Sequence, residues 1–375
     1  MQTNSKKLAL MLPGGGARGS YQVGVIKGIM EILPNNAAPF PIITGTSAGA
    51  INATVLASYA SDIKYGAFRL EKFWTSIHCE DVYRTDTLMI AKTIMRVIGS
   101  ILFSRLGVKS PRSLLDNAPL KQLLTQELHL PQIQQAIDNG DLDGLAITAS
   151  SYAVSVAKSF YQATSAIKPW HRTRRFGVAE QIGVEHILAS SALPFLFPAQ
   201  LIGNEYYGDG GLRMIAPLSP AIHLGAEKIL VIGTRDESPI PAPTEITDYP
   251  SMGELGGYML DTIFMDTLMA DLSRLNRINR TLALLDDSQK HKTKLKQIQT
   301  MIIKPSIDVR SVTEEHAQDI PTPVKTLLKM IGGWGKDWRM PSYLLFEPGY
   351  TKALIELGYQ DSLAQQEEIR DFINS

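Results

Sequence analysis

Two apolar runs of strand length each end in a glycine-bearing turn and then open a helix. This doubled arrangement constrains the chain more than any other feature. The first run is Leu8–Leu12, followed by Pro13-Gly14-Gly15-Gly16-Ala17-Arg18-Gly19. Ser20–Leu33 then sets Val25, Ile26, Ile29, Met30 and Leu33 on one side at helical spacing, with a stop at Pro34-Asn35-Asn36. The second run is "FPIITG", which leads into Gly45-Thr46-Ser47-Ala48-Gly49. The segment Ala48–Ala60 is rich in small residues, which lets a helix lie close to a sheet. A β-α-β-α unit of this kind takes a right-handed crossover and predicts a parallel sheet. The glycine run after the first strand aims backbone N–H groups at an anion. Gly14, Gly16 and Gly19 satisfy GxGxxG, the dinucleotide-binding fingerprint. A catalytic oxyanion is the other negative charge such a loop can hold.

Further along, Leu145–Ala149 reads as a strand with Ser159–Gln162 as its partner, and Ile187–Leu193 as a short helical turn stopped by Pro194. "NEYY" reads as a strand before Tyr207-Gly208-Asp209-Gly210-Gly211, and "KILVIGT" as a central strand. A mostly helical insertion is expected over 83–139. After the Pro-rich "ESPIPAPTEI" comes a helical stretch from Gly253 to about Leu285, then the solvated "DDSQKHKTKLKQ" and a further strand in "MIIKPSIDV". The fold class is therefore α/β, with a mostly parallel central sheet flanked by helices. The expected division is a catalytic domain over 7–235 and a mainly helical extension over 244–375, either separate or packed on the same domain.

Lys+Arg and Asp+Glu balance at 37 each, so no global field points to nucleic acid. The single cysteine, Cys79, excludes an intramolecular disulfide framework and reads as a small core residue. The run after Lys6 and Lys7 is too short for a signal-peptide core, and nothing approaches the ~18–20 apolar residues of a spanning helix. A cytoplasmic or peripheral membrane protein is expected.

GTSAG at 45–49 sits between a strand and a helix, the context that makes GxSxG a nucleophile elbow. Such a turn presents the Ser47 hydroxyl above the strand end and aims the Ala48 N–H at the same spot. The competing reading is a tight turn with an N-capping serine. The opening loop can now be judged. A dinucleotide site wants an acid at the end of the second strand. Here that strand ends in Ile43-Thr44-Gly45-Thr46-Ser47, with a nucleophile in the acid's place. No Gly-Lys-Ser/Thr completes a Walker loop. No nucleotide is expected, and the glycine N–H groups are read as facing the oxyanion of a tetrahedral intermediate. The serine needs a base. Asp209, bracketed by Gly208 and Gly210, is the candidate, against an Asp-Gly hairpin turn. Of the seven histidines, His223, His291 and His316 follow in the order of an α/β-hydrolase triad, but none lies in a glycine-framed loop. Ser190 and Ser191 lack an elbow. No acidic cluster suggests a metal site, and no cofactor is expected.

The order GGGARG, GTSAG, "ASSALPFLFP" and DGG strongly resembles the patatin-like phospholipases over about Lys7–Thr234. "YLLFEPGYTKALIELGY" is similar to the tail of bacterial members. The resemblance implies a three-layer fold and a Ser-Asp dyad. Ser47 would be the nucleophile, Asp209 the general base, and Gly14, Gly15 and Gly16 the oxyanion hole. Arg18, Gly19, Gly45, Ala48, Gly49, Gly210 and Gly211 complete the motifs. Many members carry Asp-Gly-Ala where Gly211 ends the third motif here. The implied activity is hydrolysis of a lipid or acyl ester through an acyl-enzyme. A small-ester esterase or thioesterase, or a silent lipid-binding scaffold, is the alternative.

Arg18 has two open roles: stabilising a lipid phosphate or developing charge, or pairing with a structural acid. The basic, apolar segment 88–106, with Lys92, Arg96 and Arg105, suits a membrane surface or an acyl-site lid, or an ordinary packed helix. "KPWHRTRR" sets Trp170 beside Arg172, Arg174 and Arg175, for headgroup contact or a solvated turn.

Overall fold

The computed structural model describes residues 6–34, 38–88, 92, 95, 113–237, 249–293, 295–335 and 337–375. Among them lie ten strands of one sheet: β1 Leu8–Leu12, β2 Ile42–Gly45, β3 Gly144–Ser151, β4 Ala157–Ala163, β5 Trp170–Arg172, β6 Arg175–Ala179, β7 Gln200–Ile202, β8 Glu205–Asp209, β9 Lys228–Ile232 and β10 Gln299–Ile303. The order is β10-β9-β1-β2-β3-β4-β6-β5, with β8 paired to β3 and β7 to β8. The run from β10 to β3 is parallel throughout, and β4 and β8 join β3 antiparallel.

The principal helices are α1 Gly19–Ile32, α2 Ala48–Ser58, α3 Ile63–Ser76, α4 Val184–Ser190, α5 Met252–Asp261, α6 Thr267–Ala283, α7 Thr322–Met330, α8 Arg339–Leu344 and α9 Pro348–Ala364. They fill both faces of the sheet. Leu8, Leu10 and Leu12 of β1 join a core with α1, α2, α3 and α9, while Ala9 and Met11 join a second core with Leu268, Leu272 and Leu275 of α6. A strand covered on both sides is apolar at every position, which is why β1 reads as an unbroken run.

The extension after residue 244 is woven into this frame. β10 adds a parallel strand beside β9, and α9 packs along α1. That contact is close enough that a Cβ on Gly28 would overlap Ser362, and one on Gly358 would overlap the Tyr21 carbonyl. Within the insertion, helices Ala118–Glu127 and Pro131–Asn139 are present. Of 88–106, only Leu88, Lys92 and Met95 are among the described residues, so the basic apolar helix expected there lies outside them. "KPWHRTRR" forms the β5–β6 hairpin, with Arg174 at its turn (φ 58°). Trp170 is buried there, stacked between Tyr161 and His223. Cys79 is buried, and that burial raises its thiol pKa. Among the described residues, no helix is long and apolar enough to cross a membrane.

Candidate active site

β1 and β2 run side by side with Leu12 opposite Gly45, so the segments after them leave the sheet together at its carboxyl edge. Parallel sheets bind their ligands at this edge. The glycine loop and GTSAG are thereby adjacent. The Thr46 N–H donates to the Leu12 carbonyl (3.1 Å) and ties the two turns. α2 then passes so near β1 that a Cβ on Gly49 would lie 2.6 Å from the Pro13 carbonyl oxygen. Gly45 is buried against the first turn of α2, and Gly19 against Ala48.

Ser47 sits at the apex with φ 55° and ψ −129°, a conformation that costs a non-glycine residue energy and persists only when its surroundings impose it. Its own N–H donates to Ser190 Oγ (2.9 Å), and that hydroxyl donates to the Thr148 carbonyl (2.7 Å). Ser190, at the end of α4, is thus a brace for the elbow. Ser191 donates to the Ile187 carbonyl within the same turn (2.8 Å).

Asp209 ends β8, opposite Ala149 of β3. Its N–H donates to the Ala192 carbonyl (2.9 Å), and its Oδ1 accepts from the Gly211 N–H (2.9 Å). Gly210 lies against the Thr148 backbone, and its carbonyl accepts from Ser150 Oγ (3.1 Å). The Asp209 side chain is fully buried, and its Oδ2 has no hydrogen-bond partner among the described residues. Burial pushes its pKa up to about 7, against the opposing pull of the Ser47 hydroxyl and the Gly211 N–H. Ser47 is therefore near enough to act on the carboxylate electrostatically without a closed hydrogen bond. Catalytic contacts commonly tighten only when substrate is bound.

The glycine loop is held from three sides. Thr234, just beyond β9, donates to the Gly14 carbonyl (2.8 Å). Gly16 has φ +56° and packs against the Tyr343 carbonyl, so both its conformation and its space exclude a side chain. Gln22 of α1 donates to the Pro13 carbonyl (2.9 Å), and Asn52 of α2 donates to the Gly19 carbonyl (3.0 Å) and to Gln22 Oε1 (2.9 Å). No acceptor among the described residues takes the N–H groups of Gly15, Gly16 or Ala48.

Arg18 is fully buried among Asp261, Ser342 and Tyr343. Nη1 lies 3.0 Å from Asp261 Oδ1, Nη2 donates to Ser342 Oγ (2.6 Å), and the guanidinium stacks 4.0 Å from the Tyr343 ring centroid. The structure thus selects the structural-acid reading of Arg18. Asp261 also meets Arg339 Nε (3.1 Å) and the Tyr343 hydroxyl (2.8 Å). Burial alone would raise its pKa, but the Arg18 charge, the Tyr343 hydrogen bond and the charges of Arg235 and Arg339 outweigh it, and the net shift is downward.

Asp261 is the last residue of α5, which passes through a π-helical turn, Thr262–Asp266, into α6. Such turns occur frequently at functional sites. This one sets the Phe264 ring on Gly14 and Ile263 on Gly211. Ser47 is left only 2% exposed.

None of the three histidines placed in triad order has Ser47 or Asp209 as its partner. His223 Nδ1 bonds the Ser219 carbonyl (2.7 Å), His316 pairs with Asp319 (3.4 Å), and His291 lies on the exposed helix Asp287–Thr293. Among the described residues, no group of three His, Cys, Asp or Glu could hold a metal ion.

The contacts of Gln22, Asn52, Ser190, Thr234, Asp261 and Phe264 were not anticipated from sequence. Gln22 in "SYQVGVI" and Asn52 in "AINATVLA" carry a readable signal, a polar side chain inside an apolar helix that must find a buried partner. Asp261 and Phe264 carry none, since Arg18 and Gly14, which they meet in the loop, lie over two hundred residues away in the chain.

The model of the family described as patatin-like phospholipase matches residues 10–222. No curated protein sequence matches the chain. Among solved structures, the chain is similar to VipD from Legionella pneumophila, at 13% identity and a TM-score of 0.39, covering 97% of this chain and 67% of that one. It is also similar to human GIVD cytosolic phospholipase A2 in complex with methyl gamma-linolenyl fluorophosphonate, at 10% identity and a TM-score of 0.42, covering 98% of this chain and 59% of that one.

Proposed function

Because the chain belongs to the patatin-like phospholipase family, we propose that it hydrolyses carboxylic esters of lipids with Ser47 as nucleophile and Asp209 as general base. The observation that carries this reading is a strained serine close to a buried carboxylate whose Oδ2 has no hydrogen-bond partner among the described residues. Asp209 takes the hydroxyl proton as Ser47 Oγ attacks the ester carbonyl. The resulting oxyanion lies at the open N–H groups of Gly15 and Gly16, with Ala48 beside them. The positive end of α1 adds to this stabilisation. The tetrahedral intermediate collapses, and Asp209 returns its proton to the departing alcohol. Water then attacks the acyl-enzyme as Asp209 takes its proton, and collapse of this second intermediate returns the proton to Ser47 Oγ and releases the fatty acid.

A carboxyl group with a pKa near 7 suits this double duty, since it can both accept and release a proton near neutral pH. The test is a fluorophosphonate label followed by adduct mapping, with mass spectrometry of phospholipids incubated with wild type and Ser47→Ala. One adduct on Ser47 and release of fatty acid by wild type alone are expected. An adduct on Ser190 or Ser191, or equal fatty-acid release by Ser47→Ala, overturns the reading.

A further inference from the structure

The turn that lays Phe264 on Gly14, beside Ser47, is continuous with a helix whose apolar face is exposed, Arg339 lying 5.7 Å from the Tyr258 ring centroid there. On α5, Gly253, Gly257 and Leu260 point inward, with Gly253 against Gly333 and Gly257 against Arg339 and Met340. The other side presents Met252, Leu255, Tyr258 and Met259, which are 76%, 41%, 60% and 52% exposed. At about 100° per residue these four fall within roughly a third of the helix circumference. Ser251 Oγ donates to the Gly332 carbonyl and the Gly253 N–H to the Ile331 carbonyl, both at 2.7 Å. These bonds fix α5 beside the end of α7, where Met330 is exposed, as is Tyr249 just before α5. Contiguous apolar patches of this kind mark interaction surfaces.

The rim is basic. Lys325 and Lys329 lie one turn apart on α7, with Lys329 exposed and Lys325 4.9 Å from the Trp334 ring centroid. The nearby acids are engaged: Glu254 accepts from the Ser251 N–H (2.7 Å), and Asp337 pairs with Arg339 (2.9 Å).

We propose that this face rests on a phospholipid bilayer and that its contact acts on the cover of the active site. The proposal rests on the lipid-hydrolase reading above. A convex face of Met, Leu and Tyr with lysines at its edge suits an interface of acyl chains and anionic headgroups, where tyrosine keeps its hydroxyl wet. α5 leads directly into the turn that lays Ile263 and Phe264 on Gly211 and Gly14. With Ser47 nearly sealed, an acyl chain reaches it only when that turn shifts. The bilayer would thus grip the element that has to move.

The test is sedimentation with vesicles of phosphatidylcholine alone and of phosphatidylcholine with phosphatidylglycerol, alongside turnover of vesicle phospholipid and of a soluble short-chain ester. The combined substitution Met252→Ser, Leu255→Ser, Tyr258→Ser and Met259→Ser is expected to weaken vesicle binding roughly a hundredfold. The ratio of vesicle to soluble-ester turnover is expected to fall with it. Lys325→Gln with Lys329→Gln is expected to lose roughly thirtyfold on anionic vesicles and little on neutral ones, at about 1 kcal/mol per basic residue. Wild type that does not sediment with vesicles, or a four-serine variant that sediments like wild type, overturns the inference. Binding is read independently of catalysis: wild type that binds through α5 but releases no fatty acid supports the docking face and overturns the hydrolase reading.

Discussion

Asp209 and Asp261 are both buried aspartates of the same region, and their surroundings drive them apart. Asp209 accepts a hydrogen bond from one backbone N–H, meets no cation among the described residues, and is pushed up to about 7 by burial. Asp261 touches Arg18 and Arg339, accepts from Tyr343, and is held below the usual carboxylate range. Burial is common to both, so it is the partners that decide. A buried carboxylate given cations becomes a fixed anion that organises a scaffold. One denied them stays poised to exchange a proton. The side of the site built by the sheet holds the poised acid, and the side built by α5 and α8 holds the fixed one.

The largest test of this contrast is Asp209→Asn. Loss of the base is expected to lower turnover by about three decades, within the range for general acid–base catalysis. Stability should move the other way. The folded carboxyl holds its proton up to about 7, whereas an unfolded one releases it near 4. The protonated group's contribution is therefore complete below about pH 4 and is lost as pH rises through 7. Asn keeps the neutral form, so the variant should gain on wild type across that window, by an amount on the order of a few kcal/mol. Wild-type kcat/KM should rise with pH through about 7. Denaturant melts at pH 5 and 8 with parallel pH–rate profiles check all three. A variant equally destabilised at both pH values would mean that Asp209 is a fixed anion like Asp261.

Next in size is Asp261→Asn. It leaves Arg18 buried without its counter-charge, at a cost of about 3 kcal/mol in folding stability. Calorimetry at pH 7 reads this, with turnover measured well below the transition. Full stability in this variant would show that Ser342 and Tyr343 suffice for Arg18.

The smallest effect is expected from Thr234→Val, which removes one hydrogen bond from the Gly14 carbonyl and should cost about 1 kcal/mol. A drop of a few-fold in turnover of a soluble ester is expected, because the loop loses one of its three restraints. Unchanged turnover would place the rigidity of the loop with Gln22 and Tyr343 alone.

The half of the site nearest the sheet was legible in the sequence for a physical reason. Strand, tight turn and helix follow one another within a dozen residues, so Leu8–Gly19 and Ile42–Gly49 declare their geometry locally. Asp209 was legible because glycines flank an acid directly after a strand. The other half was not. Arg18 offered two roles, and nothing near it in sequence chose between them, since Asp261 and Ser342 come from far along the chain. The segment Gly253 to about Leu285 read as helix, yet periodicity does not report a π-turn or which glycine Phe264 will meet. Trp170 beside three arginines looked like a surface pairing, but the pleat of β5 turned its ring to the core.

The pairing of Arg18 with Ser342 spans 324 positions, and this has a consequence for synthesis. A growing polypeptide leaves the ribosome from its amino end, so the glycine loop and the elbow emerge long before α8. Until Tyr343 follows, Gly16 lacks the carbonyl it packs on, and Arg18 lacks its ring, its hydroxyl and the aspartate that they orient. A nascent chain that has reached Thr234 carries the glycine loop, Ser47 and Asp209, yet is expected to be inert toward lipid. If Ser47 and Asp209 act as proposed, hydrolytic competence is expected only late in translation, when the last supports of the loop have left the exit tunnel.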